Sequence, residues 1–144
     1  MRRIAPIAFA FTLLAGCAAD HLPDQDLRIL NTPAAFKMPP DELWKEFNRD
    51  PNAARTKYFG QAIDISGKVV AIQPDSTKVP VVFFANPAEK GLRARLLDER
   101  AAEIVKNATP GTRITLRCFC EGLTAEQNLL LKSCIQPYAA GSQK

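Results

Sequence analysis

The sequence predicts a mainly β domain: a small barrel of five strands, led by one helix and interrupted by a second helix between strands three and four. Three observations carry that prediction. Residues 58–72 (YFGQAIDISGKVVAI) alternate Ile63, Ile65, Gly67 and Val69 with Asp64, Ser66 and Lys68, the period of two expected of a half-buried strand. Residues 112–120 (TRITLRCFC) repeat that period, with Ile114, Leu116, Cys118 and Cys120 inward and Arg113, Thr115, Arg117 and Phe119 outward. Between them, residues 99–106 switch to helical spacing. At 144 residues and 47% apolar composition, the chain has room for one domain and its tails.

The N-terminus is an address. Arg2 and Arg3 are followed by an apolar run from Ile4 to Leu14 and by the small residues Ala15 and Gly16, the layout of a secretory signal over residues 1–16. The LAGC sequence, Leu14 to Cys17, resembles the lipobox of bacterial lipoproteins. That resemblance implies cleavage before Cys17 and lipidation of its thiol and new amino group, with palmitate among the acyl chains. An apolar stretch of about a dozen residues is too short to favour a transmembrane anchor. Several acyl chains, at about 0.8 kcal/mol per buried methylene, hold a protein on a bilayer. Ala18 is not the aspartate associated with inner-membrane retention, so the expected place is the outer membrane, facing the periplasm. Loss of Arg2 and Arg3 lowers the formal charge from +4 to +2, and the basic signal nearly vanishes.

Residues 17–40 read as the lipidated cysteine and a tether. Pro23, Pro33, Pro39 and Pro40 break any periodicity, while Leu27, Ile29, Leu30 and Phe36 are candidates to dock on the domain. His21, the one histidine, lies here with no second metal ligand beside it. The domain is expected over residues 41–138, with a tail at 139–144. Its leading helix spans Asp41 to Asn48, with acidic residues in the first turn and Leu43, Trp44 and Phe47 on one side. Asp50 and Pro51 end it and start a short turn through Ala53, Ala54 and Tyr58. In the first strand Gly67 is expected to mark a bulge or bend.

The polar turn Gln73–Lys78 leads to a second strand, Val79–Ala85, with Pro80 near its start. The third strand, Gly91–Leu97, places Leu92, Ala94 and Leu96 on one face and Arg93, Arg95 and Leu97 on the other. The second helix runs from Glu99 to Lys106, with Asp98 as N-cap and Ala102, Ile104 and Val105 as its apolar residues. After the fourth strand, a loop at Glu121–Asn128 precedes the last strand, Leu129–Ile135.

Three strands, a helix and two more strands, with a long bent first strand, is the element order of the OB-fold, a five-stranded Greek-key barrel. Residues 42–136 also resemble the bacterial family called tRNA-anticodon-binding-like. The run ELWKEFNRDPNAARTKYFGQAIDISGKVVAI carries its leading helix, the Tyr-x-Gly step at Tyr58–Gly60 and the Ser/Thr-Gly-x-Val strand at Ser66–Val69. Cys120, Gly122 and Cys134 match its closing pattern. The resemblance implies the fold and no general activity.

Of the four cysteines, Cys17 is assigned to lipid, which leaves Cys118, Cys120 and Cys134 and makes one of them odd. In an oxidising compartment a bridge between adjacent strands is the default. The family pattern implies Cys120 with Cys134, leaving Cys118 buried, although hairpin counting does not place that pair directly opposite. The other reading is a thiol site for metal or redox work built on Cys118, Cys120 and Cys134.

No Ser-His-Asp or Cys-His pair can be assembled with His21 outside the barrel. The carboxylate pairs Glu42/Glu46 and Glu99/Glu103 sit at helical spacing as solvated faces, and the glycines are isolated. The expectation is no enzyme and no cofactor. OB-folds bind across strands two and three, which here offers Phe83 or Phe84, of which we single out Phe84, together with Arg93, Arg95, the 73–78 turn and the 121–128 loop. The expected function is a non-catalytic binding or scaffold module for an envelope protein or glycan. Single-stranded nucleic acid is the fainter alternative, disfavoured by the near-neutral charge and the address.

Overall fold

The computed structural model describes residues 25–137; the expected signal peptide, Cys17, His21 and the 139–144 tail lie outside the described residues. A 3-10 turn, Leu27–Asn31, comes first. It is followed by β1 (Phe36–Met38), α1 (Pro40–Arg49), α2 (Pro51–Tyr58), β2 (Ala62–Lys68), β3 (Ala71–Pro74), β4 (Pro80–Phe83), β5 (Leu92–Leu96), α3 (Asp98–Asn107), β6 (Arg113–Leu123) and β7 (Leu129–Ile135).

The seven strands form one sheet in the order β1-β2-β6-β7-β5-β4-β3. Five strands were expected, and two physical facts account for seven. The first predicted strand is divided at a corner: the Val69 N–H donates to the Thr112 carbonyl at 2.9 Å, beside β6, whereas the Val70 N–H donates to the Phe83 carbonyl at 2.8 Å, on β4. One bent strand thereby supplies β2, next to β1 near one end of the order, and β3 at the other end, and this joins the sheet into a barrel. The remaining extra strand is β1, added in parallel to β2 with Phe36, Lys37 and Met38 opposite Ile63, Asp64 and Ile65. Removing β1 and joining β2 to β3 leaves a five-stranded circuit in which β5 and β7 run parallel and the other pairs antiparallel.

Gly67 does not mark the bend. The β2/β6 register runs unbroken from Ala62↔Phe119 to Lys68↔Arg113, and the corner falls after it. The glycine is there for proximity: a Cβ at position 67 would lie 2.6 Å from Cγ of Pro40 and 3.1 Å from Cδ1 of Phe84. The first residue of α1 therefore rests directly on β2, and Leu43 and Phe47 on the next turns enter the main core. In α2, Asp50 accepts the Ala53 N–H at 3.1 Å as a side-chain cap, and Tyr58 ends the helix fully buried, its ring edge-on to Phe36 at 4.9 Å.

The helix α3 starts one residue earlier than expected, with Asp98 inside it and Leu97 in the cap position, so Asp98 is not the N-cap. Its buried residues are Ala101 and Ile104, while Ala102 and Val105 face outward. Asp98 instead donates its backbone N–H to Oε1 of Gln25 at 2.6 Å. The same glutamine donates to the Leu96 carbonyl, and the Asp26 N–H donates to Oγ of Ser133 at 2.8 Å. Ile29 is wholly buried in a second small core with Ala62, Leu97, Phe119 and Ile135. From Gln25 onward the segment expected as a tether is thus part of the packed domain.

The bridge joins Cys118 to Cys134, with Cα atoms 4.2 Å apart, and Cys120 is free. This corrects the expected Cys120–Cys134 pairing, and the reason is where the hairpin closes: β6 runs on to Leu123, paired with Leu129, and counting back five residues on each strand sets Cys118 opposite Cys134, the two bulges in between cancelling. Between Arg117↔Ile135 and Phe119↔Lys132, β7 holds one residue more than β6. Ser133, at φ 54°, takes up the excess, so Cys134 comes to lie against Cys118. Past Cys120↔Leu131 the excess moves to β6, where Gly122 adopts φ 103°. Leu131, not Cys134, is therefore opposite Cys120.

Candidate ligand-binding cleft

The corner that sends the chain from β2 into β3 also builds a tight turn at residues 75–79. Oδ1 of Asp75 accepts from the Thr77 N–H at 2.8 Å, the Thr77 hydroxyl at 2.7 Å and the Val79 N–H at 3.1 Å. A carboxylate reaching forward to its own backbone is the mechanism by which aspartate nucleates turns. Lys78, at φ 66°, completes the reversal. The second oxygen, Oδ2, takes Nε of Arg95 at 2.5 Å, and Arg95 also donates to the Thr77 hydroxyl at 2.8 Å.

Arg95 is 5% exposed, a buried charge neutralised by its carboxylate. Burial pushes the Asp75 carboxyl up, but the Arg95 and Thr77 side chains and the Thr77 and Val79 backbone N–H groups outweigh it and hold the group at about 2.

Against this turn lies a cleft of about 450 Å³ whose walls come from β3, the turn, β4 and β5, with Leu130 of β7. Alternation on β5 sends Arg93 and Arg95 to the same side, so both reach it. The guanidinium of Arg93 lies over the Phe83 ring at 5.1 Å and donates to the Pro87 carbonyl at 3.2 Å. Its Nε is buried and has no hydrogen-bond partner among the described residues.

The structure thus brings together Arg93, Arg95 and the 73–77 turn, and it excludes Phe84. On β4 the adjacent residue, Phe83, faces the cleft, and Phe84 packs against the main core above Gly67. The hairpin loop, shortened to residues 124–128 because β6 runs on to Leu123, contributes none of the lining residues. Asp75 as organiser was not read from the sequence. The Asp-Ser-Thr run is a turn signal, but its ion partner sits two strands away.

The three-sulfur site does not assemble, because Cys118 and Cys134 spend their thiols on each other. Cys120 is wholly buried, and burial pushes its thiol up to about 12, far above the range in which a thiolate reacts at neutral pH. No group of three His, Cys, Asp or Glu able to hold a metal occurs among the described residues.

A barrel closed by one bent strand, with a half-polar cleft on the β4/β5 face beside the first turn, defines the class: an OB-fold-like domain. The family model described as tRNA_anti-like matches residues 1–135, and the chain belongs to that family. Among solved structures, the chain is similar to a "putative nucleic acid-binding lipoprotein" from Klebsiella pneumoniae subsp. pneumoniae MGH 78578, with TM-score 0.56 and 14% identity over 71% of this chain and 92% of that one. At that identity the likeness is one of fold. A search of curated proteins returns no match.

Proposed function

We propose that the protein is a non-catalytic binding module of the bacterial envelope, anchored through lipid on Cys17 to the outer membrane and facing the periplasm, with its partner seated in the cleft between the 75–77 turn and Arg93. The observation that carries this reading is the division of labour between the two cleft arginines. Arg95 is locked by Asp75 and stiffens the wall, whereas Arg93 has no carboxylate partner among the described residues. Among the described residues the cleft offers no histidine and no activated nucleophile, and its one carboxylate is held ionised by its partners, which suits recognition and not proton transfer. The address rests on the signal-like N-terminus and LAGC, and the lipoprotein of similar fold supports it.

A second reading, single-stranded nucleic acid, is favoured by the two arginines of the cleft and by the description of the Klebsiella neighbour. Its cost is charge: Arg93, Arg95 and Asp75 together leave the cleft at +1. Photo-crosslinking separates these readings. A photoreactive residue placed at Ser76 of the full chain in living cells should give a discrete protein or glycan adduct that disappears with Arg93→Ala. Absence of any Ser76 adduct, or one unaffected by Arg93→Ala, would sink the cleft as the partner site. An adduct sensitive to nuclease would transfer the proposal to nucleic acid.

A further inference from the structure

Resting on the reading of this cleft as the partner site, we infer that it recognises the free carboxylate of a polypeptide ending in an apolar residue. The argument begins with the unpaired donor. A guanidinium carries five N–H donors in a planar fork. Arg95 commits its fork to Asp75 and Thr77, but Arg93 makes one bond, to a neutral carbonyl, and leaves a buried Nε–H unmatched. Buried polar groups in folded proteins are matched with few exceptions, and this one belongs to a side chain that lines the cleft, where a small turn of the guanidinium would bring its Nε–H to a ligand. The group that completes a guanidinium edge with two parallel bonds is a planar carboxylate. Among the described residues no second carboxylate lines the cleft, and Asp75 already holds Arg95.

Charge and shape choose among the ligands that carry an anion. The net charge of the lining is +1, which suits a single carboxylate and not a strand with one negative charge per nucleotide. A nucleobase and a sugar ring both want an open aromatic face to stack on. The one aromatic residue lining the cleft, Phe83, is 8% exposed and already covered by Arg93, so that face is taken. What remains is an apolar floor of Val81, Phe83 and Leu130 next to the hydroxyl and amide groups of Ser76, Thr77 and Gln73. An apolar side chain beside a carboxylate, with a peptide backbone to hydrogen-bond, fits that surface. At about 450 Å³, the space is of the size that takes a few residues of extended chain.

The test titrates the full chain in detergent with fluorescein-labelled tetrapeptides ending in Val or Leu, each as the free acid and as the C-terminal amide. The acids should bind saturably, the amides at least tenfold more weakly, and Arg93→Gln should lower acid binding to the level of the amide. The thermal midpoint of Arg93→Gln should stay within a few degrees of the parent, which separates loss of the site from loss of the fold. Equal binding of acid and amide, no binding of either, or tighter and salt-sensitive binding of an oligothymidylate would overturn the inference. If the peptides fail while the Ser76 adduct still depends on Arg93, the carboxylate inference falls and the cleft reading stands. If both fail, the cleft itself is wrong.

Discussion

Two positions decide how rigid the cleft and the barrel are. Asp75 is held at about 2 by Arg95 and its own turn against the opposing push of burial. A carboxyl whose folded value lies below its unfolded one near 4 stabilises the fold at any pH above 4, and that contribution is lost as pH falls from 4 through 2. The size is on the order of 2 kcal/mol, so Asp75→Asn should cost about that at pH 7 in urea unfolding and should flatten the acid limb between pH 4 and 2. An unchanged acid limb would mean that the pair is ornamental. Gly67 is the second position. Its backbone is not left-handed, yet an added Cβ would meet the Pro40 ring at 2.6 Å. Overpacking of this kind costs typically 1–3 kcal/mol. Gly67→Ala should lose about that much in the same assay, and a neutral result would show that α1 gives way easily.

At the scale of elements, period-two alternation makes β2, β5 and β6 legible in the sequence, and the apolar runs of β4 and β7 stand out beside polar turns. It also put Arg93 and Arg95 on one side. What it could not supply was relative placement. The β1 strand has three residues and borrows its stability from β2, so no local pattern announces it. Phe83 and Phe84 are chemically identical neighbours, and which one faces the cleft depends on where Gly67 and Pro40 leave room. The cysteine pairing turned on where the β6/β7 hairpin closes, at Leu123↔Leu129 and not around residues 121–128, and alternation does not mark the end of a loop. That element-level account makes a clean prediction. Peptide mapping of the unreduced protein should recover Cys118 linked to Cys134. Cys120 should resist alkylation at pH 8 until denaturant is added, since its thiol sits at about 12. Reducing the bridge should cost about 3 kcal/mol, the value expected for a closed loop of this length. Rapid native labelling of Cys120 would contradict its burial.

For the whole molecule, the N-terminal segment is as much a part of the domain as the barrel. Gln25 ties the entering chain to the end of β5 and the start of α3, and Asp26 ties it to β7. The Arg117–Asp64 ion pair at 2.8 Å, with Arg117 also donating to the Thr32 carbonyl, fastens the next stretch across β6 and β2. The first described residues thus sit against β7 and the end of β5. The most direct measurement of the central claim needs no knowledge of the partner. Hydrogen exchange of the full chain would be compared alone and after return to outer-membrane vesicles from cells lacking it. Seating in the cleft predicts new protection confined to residues 73–83 and 91–96, lost with Arg93→Ala; protection on α1 and α2 instead, or none anywhere, would contradict it.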